Sequence, residues 1–422
     1  MPSEPALAID GGPPVREAPL DFSKGASLLG AEEADALAAL IKTRALFRYK
    51  DDLAAGAVAD FERAACELLG CRYAVAVANG TAALRTALGA LGVGCGDEVI
   101  VPAFTFVATV NAVVAQGAVP VFAEVDDTLG LDPADVGAQI TDRTAAVIAV
   151  HLENVACDLD ALLAVTTGRG VPVIEDTAQS FGARYHGRAL GTFGALGTFS
   201  LQQEKNITAG EGGLVVTDDE THYLRAARFQ DQGGQFVTSY ASARGDELTE
   251  PFAGENLRMG ELAGAVAGVQ LARLPGILDS LRTNKTRIVD AIGPIDGLTR
   301  RRRPDPDGDG SSSMTWFLSD TVLAKRFAAA LRAEGIPCAQ MYRGRPVYLN
   351  AGVLARRTAS QKGGPWACAE HPTDRTYGPG LCPRTEELVA RSVIVPVGVG
   401  YTERDCADVA SAVRKVAAAL LA

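Results

Sequence analysis

Histidine, tryptophan and methionine are scarce in this sequence of 422 residues, which contains four, two and four of them, respectively. The histidines are not spaced as ligands on one face of a helix or strand, so we expect no metal site. Cys-x-x-Cys pairs are also missing, although the sequence contains eight cysteines. In a long intracellular chain, cysteines scattered in this way are expected to be reduced and partly buried.

Basic residues are in deficit, and long apolar runs are missing as well. The sequence has 40 Lys and Arg residues against 51 Asp and Glu residues, which gives a net charge of −11. Such a charge argues against nucleic acids and anionic membranes as partners. No run approaches the roughly 20 apolar residues of a membrane-spanning helix, and the first five residues lack the basic and apolar blocks of a signal peptide. A cytoplasmic location is therefore expected.

Between Tyr73 and Arg228, short apolar runs alternate with helical stretches. This alternation is typical of βαβ units and of a mainly parallel sheet. The runs are nearly all apolar, which favours a sheet covered by helices on both faces. The predicted strands are Tyr73–Ala78, Glu98–Pro102, Val119–Glu124, Ala145–His151, Val171–Asp176, Gly197–Leu201 and Gly213–Thr217. The predicted helices between them are Ala82–Leu91, Ala108–Gln116, Pro133–Ile140 and Asp158–Thr166.

The length of the chain favours two or three domains. We predict an N-terminal segment (1–50), a large domain that contains the sheet (51–285) and a smaller C-terminal α/β domain (286–422). The polar and turn-rich stretch 300–313 is predicted to be an exposed loop. The other predicted elements are the helices Glu261–Asn284, Thr321–Glu334 and Glu403–Leu421 and the strand Ser392–Pro396.

Lys205 and Asp176 form the most informative pair of residues. Asp176 ends the apolar run that begins at Val171, and Lys205 follows between Ser/Thr residues and a cluster of glycines. A lysine in this setting can form a Schiff base with pyridoxal 5′-phosphate (PLP), and an acid at a strand end can keep the pyridine nitrogen protonated, so that the ring acts as an electron sink. The alternatives are a surface lysine and a helix-capping aspartate. Together, the two residues predict that the large domain binds PLP.

A phosphate site is predicted where the first strand meets an alanine-rich helix. The sequence there is Asn79-Gly80-Thr81-Ala82. Free amides at a helix N-terminus and the Thr81 hydroxyl can hold a phosphate, and Ser200 can add a second hydroxyl. The alternative is a plain turn in which Thr81 caps the helix.

Three further side chains follow predicted strands. Phe106, rather than Phe104, is predicted to stack on the cofactor ring, although core packing is the usual role of a phenylalanine. Gln179 is predicted to bond the phenolic oxygen of the cofactor, or else to cap its turn. His151 is expected either beside the ring or as a hydrogen-bonded histidine at a strand end.

In their order, these motifs resemble the DegT/DnrJ/EryC1/StrS family of PLP-dependent aminotransferases, which act on nucleotide sugars, aminocyclitols and related ketoses. The resemblance extends from Phe47 to Glu386. It implies an α/β protein of PLP-dependent transferase fold type I (the aspartate aminotransferase superfamily), with a mainly parallel seven-stranded sheet in the large domain and a smaller C-terminal α/β domain. The matching motifs are Asn79-Gly-Thr-Ala-Ala-Leu84, Gly96-Asp-Glu-Val-Ile-Val-Pro102, Phe104-Thr-Phe-Val-Ala-Thr109, Glu175-Asp-Thr-Ala-Gln179, Ser200 with Lys205 and Gly210-Glu-Gly-Gly213, and Gly254-Glu-Asn-Leu-Arg-Met259.

The resemblance also implies the roles of individual residues. It assigns the Schiff base to Lys205, the pyridine nitrogen to Asp176, the ring oxygen to Gln179 and ring stacking to Phe106. Asn256 matches a residue that reaches the phosphate of the neighbouring subunit, which implies a homodimer with shared active sites. The residues that match the phosphate site are Gly80, Thr81, Ala82 and Ser200.

Some positions depart from the family pattern. Glu153-Asn154 stands where Tyr-Gly is frequent, Leu257 replaces an aromatic residue, and Met341-Tyr342 replaces a His-Tyr pair. These changes favour a cyclitol, a free sugar or another ketone over a typical nucleotide sugar. The loops 47–50, 230–234 and 342–348 are expected to contact this acceptor.

The predicted function is the transfer of an amino group from L-glutamate or L-glutamine to a keto-sugar, a keto-cyclitol or a related ketone. Other PLP reactions on the same fold remain open, namely decarboxylation and racemisation. A sugar dehydratase of this family would carry histidine in place of Lys205. A non-catalytic PLP-binding sensor is the alternative that is not an enzyme.

Overall fold

A central sheet organises the first half of the chain. The computed structural model describes residues 6–49, 55–234, 249–360, 363–369 and 373–421. The strands in this half are β1 (Tyr73–Val77), β2 (Glu98–Pro102), β3 (Val119–Ala123), β4 (Thr144–Val150), β5 (Val173–Asp176), β6 (Arg184–Tyr185), β7 (Arg188–Ala189), β8 (Leu196–Ser200) and β9 (Gly213–Thr217). Within the described residues, the central sheet has seven strands in the order β1-β9-β8-β5-β4-β2-β3, and β6 and β7 form a separate hairpin.

The central sheet is mainly parallel. The five adjacent strands β3, β2, β4, β5 and β8 run parallel. Strand β9 is antiparallel to both of its neighbours, β8 and β1. Every predicted strand is present, and the strand ends differ from the predicted ones by no more than two residues. The predicted mainly parallel sheet is therefore confirmed.

Helices cover both faces of the central sheet. Val99 and Val101 of β2 contact one core cluster, and Ile100 between them contacts another, which explains why the strand sequences are apolar throughout. The first seven helices are α1 (Ala31–Thr43), α2 (Ala57–Leu69), α3 (Gly80–Leu91), α4 (Val107–Ala115), α5 (Pro133–Gln139), α6 (Leu159–Thr167) and α7 (Glu220–Gln230). Residues of α3 and α4 belong to the first cluster, and residues of α5 and α6 belong to the second.

The C-terminal part has an antiparallel sheet of its own. Its strands are β10 (Thr299–Arg300), β11 (Ser313–Phe317) and β12 (Ser392–Pro396), with β11 in the middle. The α-helices after α7 in the described ranges are α8 (Glu261–Ile292), α9 (Thr321–Ala333), α10 (Ala351–Leu354), α11 (Pro383–Ala390) and α12 (Glu403–Leu421). None of the helices in the described ranges is long and apolar enough to cross a bilayer.

The N-terminal residues pack on other parts of the chain. Glu334, which is fully buried, accepts hydrogen bonds from the amides of Ala8 (2.9 Å) and Val15 (3.1 Å) and from the ammonium of Lys415 (2.8 Å). Helix α1 contacts α8. The division into 1–50, 51–285 and 286–422 remains a prediction, and its first boundary falls at residues outside the described ranges.

Two predictions from the sequence are wrong. Cys95 and Cys368 form a disulfide, although all cysteines were expected to be reduced; their separation of 273 residues carries no sequence signal.

The stretch 300–313 is not an exposed loop throughout. Arg301 and the residues from 308 onward are buried, because the Asp309 carboxylate binds Lys285 (2.5 Å) and the Arg301 Nε donates to the Thr128 carbonyl (2.7 Å).

Candidate active site

A cavity of ≈ 1160 Å³ opens at the carboxyl ends of β1, β5 and β8. This is the edge at which parallel α/β sheets place their ligands. Two residues that line the cavity, Phe22 and Lys24, come from the N-terminal segment, and Tyr342 comes from the C-terminal half. The predicted site residues that line it are Gly80, Thr81, Ala82, Phe106, Asp176, Gln179, Ser200 and Lys205.

Helix α3 begins at the wall of this cavity. The Asn79 side chain caps the helix, with its Oδ1 accepting from the Ala82 amide at 2.8 Å. The amides of Gly80 and Thr81 lie in the first helical turn and have no acceptor within the helix. Together with the helix dipole, these amides form an anion site. The Ala82 amide donates its hydrogen bond to Asn79, so the predicted contribution of Ala82 to the phosphate site stays a prediction.

Gly80 allows β8 to approach this helix end. A Cβ atom on Gly80 would lie 2.7 Å from the Cβ and 3.0 Å from the Oγ of Ser200. Such distances are too short for any residue larger than glycine without a shift of the backbone. The glycine therefore brings the Ser200 hydroxyl next to the free amides, as a phosphate site requires.

Asp176 ends β5 as a buried carboxylate at the cavity wall. It accepts from the Thr109 hydroxyl (2.9 Å) and the Ala178 amide (3.1 Å), and Thr109 is also bonded to Thr105 (2.9 Å). Burial raises the pKa of Asp176, although these hydrogen bonds and the charge of Lys205 oppose the rise. A cationic N–H group in the cavity would stabilise the ionised form, which fits a protonated pyridine ring.

Lys205 lies in a turn that is held by its neighbour. The Asn206 side chain exchanges hydrogen bonds with that of Asn154 (2.7 and 3.1 Å) and donates to the Phe181 carbonyl (2.9 Å). Burial lowers the pKa of Lys205, and the charge of Lys24 lowers it further. A lowered pKa increases the fraction of neutral amine, which is the nucleophilic form.

Aromatic residues form another wall of the cavity. Phe106 is 53% exposed and lines it, whereas Phe104 is fully buried in the core. The Tyr342 hydroxyl accepts a hydrogen bond from the Gln179 Nε2 at 2.8 Å, and its ring centroid lies 6.1 Å from that of Phe106. The sequence analysis named Tyr342 as part of the Met341-Tyr342 pair and of the acceptor loop 342–348, but did not predict its contact with Gln179. Lys50, in another of these loops, lies outside the described residues.

His151 and Asn256 do not line the cavity in the described part of the chain. The His151 ring is buried, with its Nε2 3.0 Å from the Glu175 Oε2 and its Nδ1 accepting from the Cys157 amide at 3.2 Å. These hydrogen bonds are those expected of a histidine at a strand end, and the position of His151 beside the cofactor ring stays a prediction. Asn256 is exposed and pairs through its backbone with Asp231.

The sequence and the fold both match known proteins. The sequence pattern of the DegT/DnrJ/EryC1/StrS aminotransferase family matches residues 31–414. L-glutamine:2-deoxy-scyllo-inosose aminotransferase of Micromonospora echinospora is 37% identical over 318 residues, which are 74% of this chain and 73% of the relative. GDP-perosamine synthase of Escherichia coli O157:H7 is 39% identical over 231 residues, 54% of this chain and 60% of the relative. The crystal structure of 3-amino-5-hydroxybenzoic acid synthase superposes with a TM-score of 0.79 at 28% identity, over 96% of this chain and 100% of that chain.

Proposed function

This chain belongs to the DegT/DnrJ/EryC1/StrS aminotransferase family, and we propose that it transfers the amino group of L-glutamine to a keto-cyclitol. The predicted family and the predicted enzyme class, a PLP-dependent aminotransferase, are confirmed. The observation that carries the proposal is that Lys205, Asp176 and the N-terminus of α3 line one cavity. Lysine, carboxylate and anion site are the three groups that PLP requires.

The cavity has residues suited to each part of PLP, the cofactor expected from the family. The amides of Gly80 and Thr81 and the Ser200 hydroxyl would hold the phosphate. Asp176 would keep the ring nitrogen protonated, and Phe106 would pack on the ring. Of the two hydrogens on the Gln179 Nε2, one is bonded to Tyr342, which leaves the other for the ring oxygen. When bound, PLP supplies the electron sink for the pair left at the α-carbon of the donor.

Lys205 carries the proton transfers. Its neutral amine removes the proton from the α-carbon of the amino donor, and in the second half-reaction it returns a proton to the carbon that receives the amino group. The pKa of Lys205, lowered by burial and by Lys24, keeps the amine available for this role. Because the keto acid of the donor leaves before the acceptor enters, while the amino group stays in the site, we expect ping-pong kinetics.

The charges of the cavity favour an uncharged acceptor. Within one chain, four cationic and four anionic side chains line it, so the described residues offer no excess of positive charge for a diphosphate. The relative from Micromonospora echinospora, which acts on 2-deoxy-scyllo-inosose by its name, has such an acceptor. The charged residues are Lys24, Arg85, Lys205, Arg332, Glu153, Asp176, Glu204 and Glu211.

Glu153 supports this choice of acceptor. It lines the cavity with a left-handed backbone (φ 52°) that a non-glycine residue adopts at an energetic cost. Its carboxylate is suited to accept hydrogen bonds from ring hydroxyls and would repel a diphosphate. A nucleotide-linked keto-sugar is the second candidate, because GDP-perosamine synthase is also a relative.

Visible absorption spectra test the function in its two halves. The band of lysine-bound PLP should disappear when L-glutamine is added and return when 2-deoxy-scyllo-inosose follows, with an aminated cyclitol detected by mass spectrometry. L-glutamate and a GDP-linked keto-sugar serve as the competing donor and acceptor. If neither amino acid changes the band, transamination is refuted; if only the nucleotide sugar restores it, the acceptor is the second candidate.

Shared active sites can be tested by mixing variants. We propose a homodimer in which Asn256 reaches the cofactor phosphate of the neighbouring subunit. Lys205→Ala and Asn256→Ala, each impaired alone, should then regain activity when co-expressed, because one site of each mixed dimer keeps both native residues. Co-expressed Lys205→Ala and Asp176→Asn should gain nothing, since both residues belong to the same site. If the mixture of Lys205→Ala and Asn256→Ala is as inactive as the mixture of Lys205→Ala and Asp176→Asn, Asn256 acts in the site of its own chain.

A further inference from the structure

A second, much smaller cavity of ≈ 40 Å³ lies between α8 and the C-terminal sheet. None of its lining residues lines the cavity that contains Lys205. Its walls include Arg301 and Arg303 from the chain after β10, Lys285 from α8, and Thr315 and Trp316 from β11. Four basic residues, Lys285, Arg300, Arg301 and Arg303, line this small space, and like charges held close together are costly where they are buried without compensation.

Two of the lining residues present hydrogen-bond donors without acceptors. Arg301 is 7% exposed, and its Nε donates to the Thr128 carbonyl at 2.7 Å. Its Nη1 and Nη2 are buried and have no partner among the described residues, and the same holds for the Oγ1 of Thr315, which is 8% exposed. Buried donors of a charged group are rarely left unpaired.

The positive charges around this cavity exceed the negative ones. Lys285 and Arg303 share a single carboxylate, that of Asp309, at 2.5 and 3.1 Å. Arg301 has no ion pair in the described ranges, although the charges of Asp309, Glu153 and Asp126 act on it from a distance. Burial lowers the pKa of Arg301 to about 10, and the charges of these three carboxylates oppose this fall.

We propose that this cavity binds a monovalent inorganic anion of the size of chloride, held by the Arg301 guanidinium and the Thr315 hydroxyl. The volume of ≈ 40 Å³ exceeds the roughly 10–15 Å³ that a cavity needs to hold one water and is far below the roughly 300–1,000 Å³ of small-molecule sites. It therefore admits a halide and excludes nucleotides, sugars and amino acids. A water molecule would accept two of the hydrogen bonds but would leave the guanidinium without an ion pair.

The anion would join two parts of the fold. Arg301 is bonded to Thr128 in the turn after β3, and its neighbour Arg302 binds Asp126 and Asp127 in the same turn (2.6 Å each). The proposed site thus lies where the C-terminal sheet meets a loop of the central sheet. An anion that binds only the folded chain stabilises it in proportion to the logarithm of its concentration above Kd.

Thermal unfolding of the PLP-loaded protein tests the site. The melting temperature should be higher in sodium chloride or bromide than in sodium gluconate of equal ionic strength, because gluconate is too large to enter. Arg301→Met should abolish the difference between halide and gluconate. Thr315→Val keeps the shape of the side chain. It should raise the halide concentration needed for a given shift in melting temperature by about tenfold, as expected for the loss of one hydrogen bond to a charged group. Equal melting curves of the wild-type protein in halide and gluconate would overturn the proposal.

Arg302→Met is the matched control. It removes a neighbouring arginine whose partners are aspartates and which does not line the cavity, so it should lower stability but keep the halide effect. Loss of the halide effect in Arg302→Met as well would overturn the assignment to this cavity. Crystals grown in sodium bromide supply a direct measurement, in which an anomalous peak is expected between the Arg301 Nη atoms and the Thr315 Oγ1. Ordered water without such a peak would contradict the proposal.

Discussion

Replacement of Lys205 by alanine should abolish transamination, with kcat lowered by at least about 10⁴-fold, since the variant loses both the general base and the point of cofactor attachment. The visible band of lysine-bound PLP should be missing from its spectrum. When PLP is added to the variant at saturating concentration, the amount of PLP retained after gel filtration measures the non-covalent part of the affinity. We expect some retention, because the α3 N-terminus, Ser200 and Asp176 are unchanged.

Lys24→Ala is the control for a charge effect in the same cavity. Since the charge of Lys24 lowers the pKa of Lys205, its removal should raise that pKa and decrease the neutral fraction of Lys205 at a given pH. Lys24→Ala should therefore form the band, but with its pH of half-maximal formation moved upward. Turnover by Lys205→Ala within tenfold of the wild-type rate would show that another group moves the proton.

Asp176→Asn should lower kcat by about 10²–10³-fold, the loss that follows removal of a preorganised electrostatic contact. Asparagine is neutral and cannot keep the ring nitrogen protonated. The substitution preserves the local hydrogen bonds, because its oxygen can accept from the Ala178 amide and its amide can donate to Thr109, whose hydroxyl can turn towards Thr105. The loss of activity should thus occur without loss of structure, as kcat and circular dichroism of the same samples would show.

Although Asp176→Asn should lower activity, it should not lower the stability of the cofactor-free protein. Burial raises the pKa of Asp176 in the folded state, so the stability associated with its protonated form is complete below the unfolded-state pKa and is lost as the pH rises through the folded-state pKa. At neutral pH the ionised carboxylate costs stability, and Asp176→Asn removes this cost. Urea unfolding of cofactor-free samples should show that the free energy of unfolding of the variant at neutral pH is no lower than that of the wild type. A variant with full activity, or one that unfolds more easily, would contradict this account.

The sequence alone predicts the sheet and the position of its functional edge. The apolar runs of β1 to β5 have no polar alternation because both faces of the sheet are buried. Lys205, Asp176 and the turn at Gly80 are recognisable because each combines a special residue type with a strand end, and they converge on one cavity. Their chemical roles remain predictions.

Other features depend on contacts between distant parts of the chain. Lys24 enters the cavity from the N-terminal segment, and Cys95 meets Cys368 across 273 residues. Arg301 lies within a run of four arginines, 300–303, that is typical of an exposed loop, but its hydrogen bond to the Thr128 carbonyl accompanies its burial. Local composition contains no information about such partners, because they are specified by the packing of the whole fold.

The contacts of Glu334 have a consequence for synthesis on the ribosome. Ala8 and Val15 find their acceptor 326 and 319 residues later in the chain, and Lys415 shares that acceptor. The segment around Ala8 therefore cannot form these contacts until residue 334 has been translated. At about 5–20 residues per second, it stays without these partners for tens of seconds while the central sheet, whose strands all lie before Asp218, has the time to assemble.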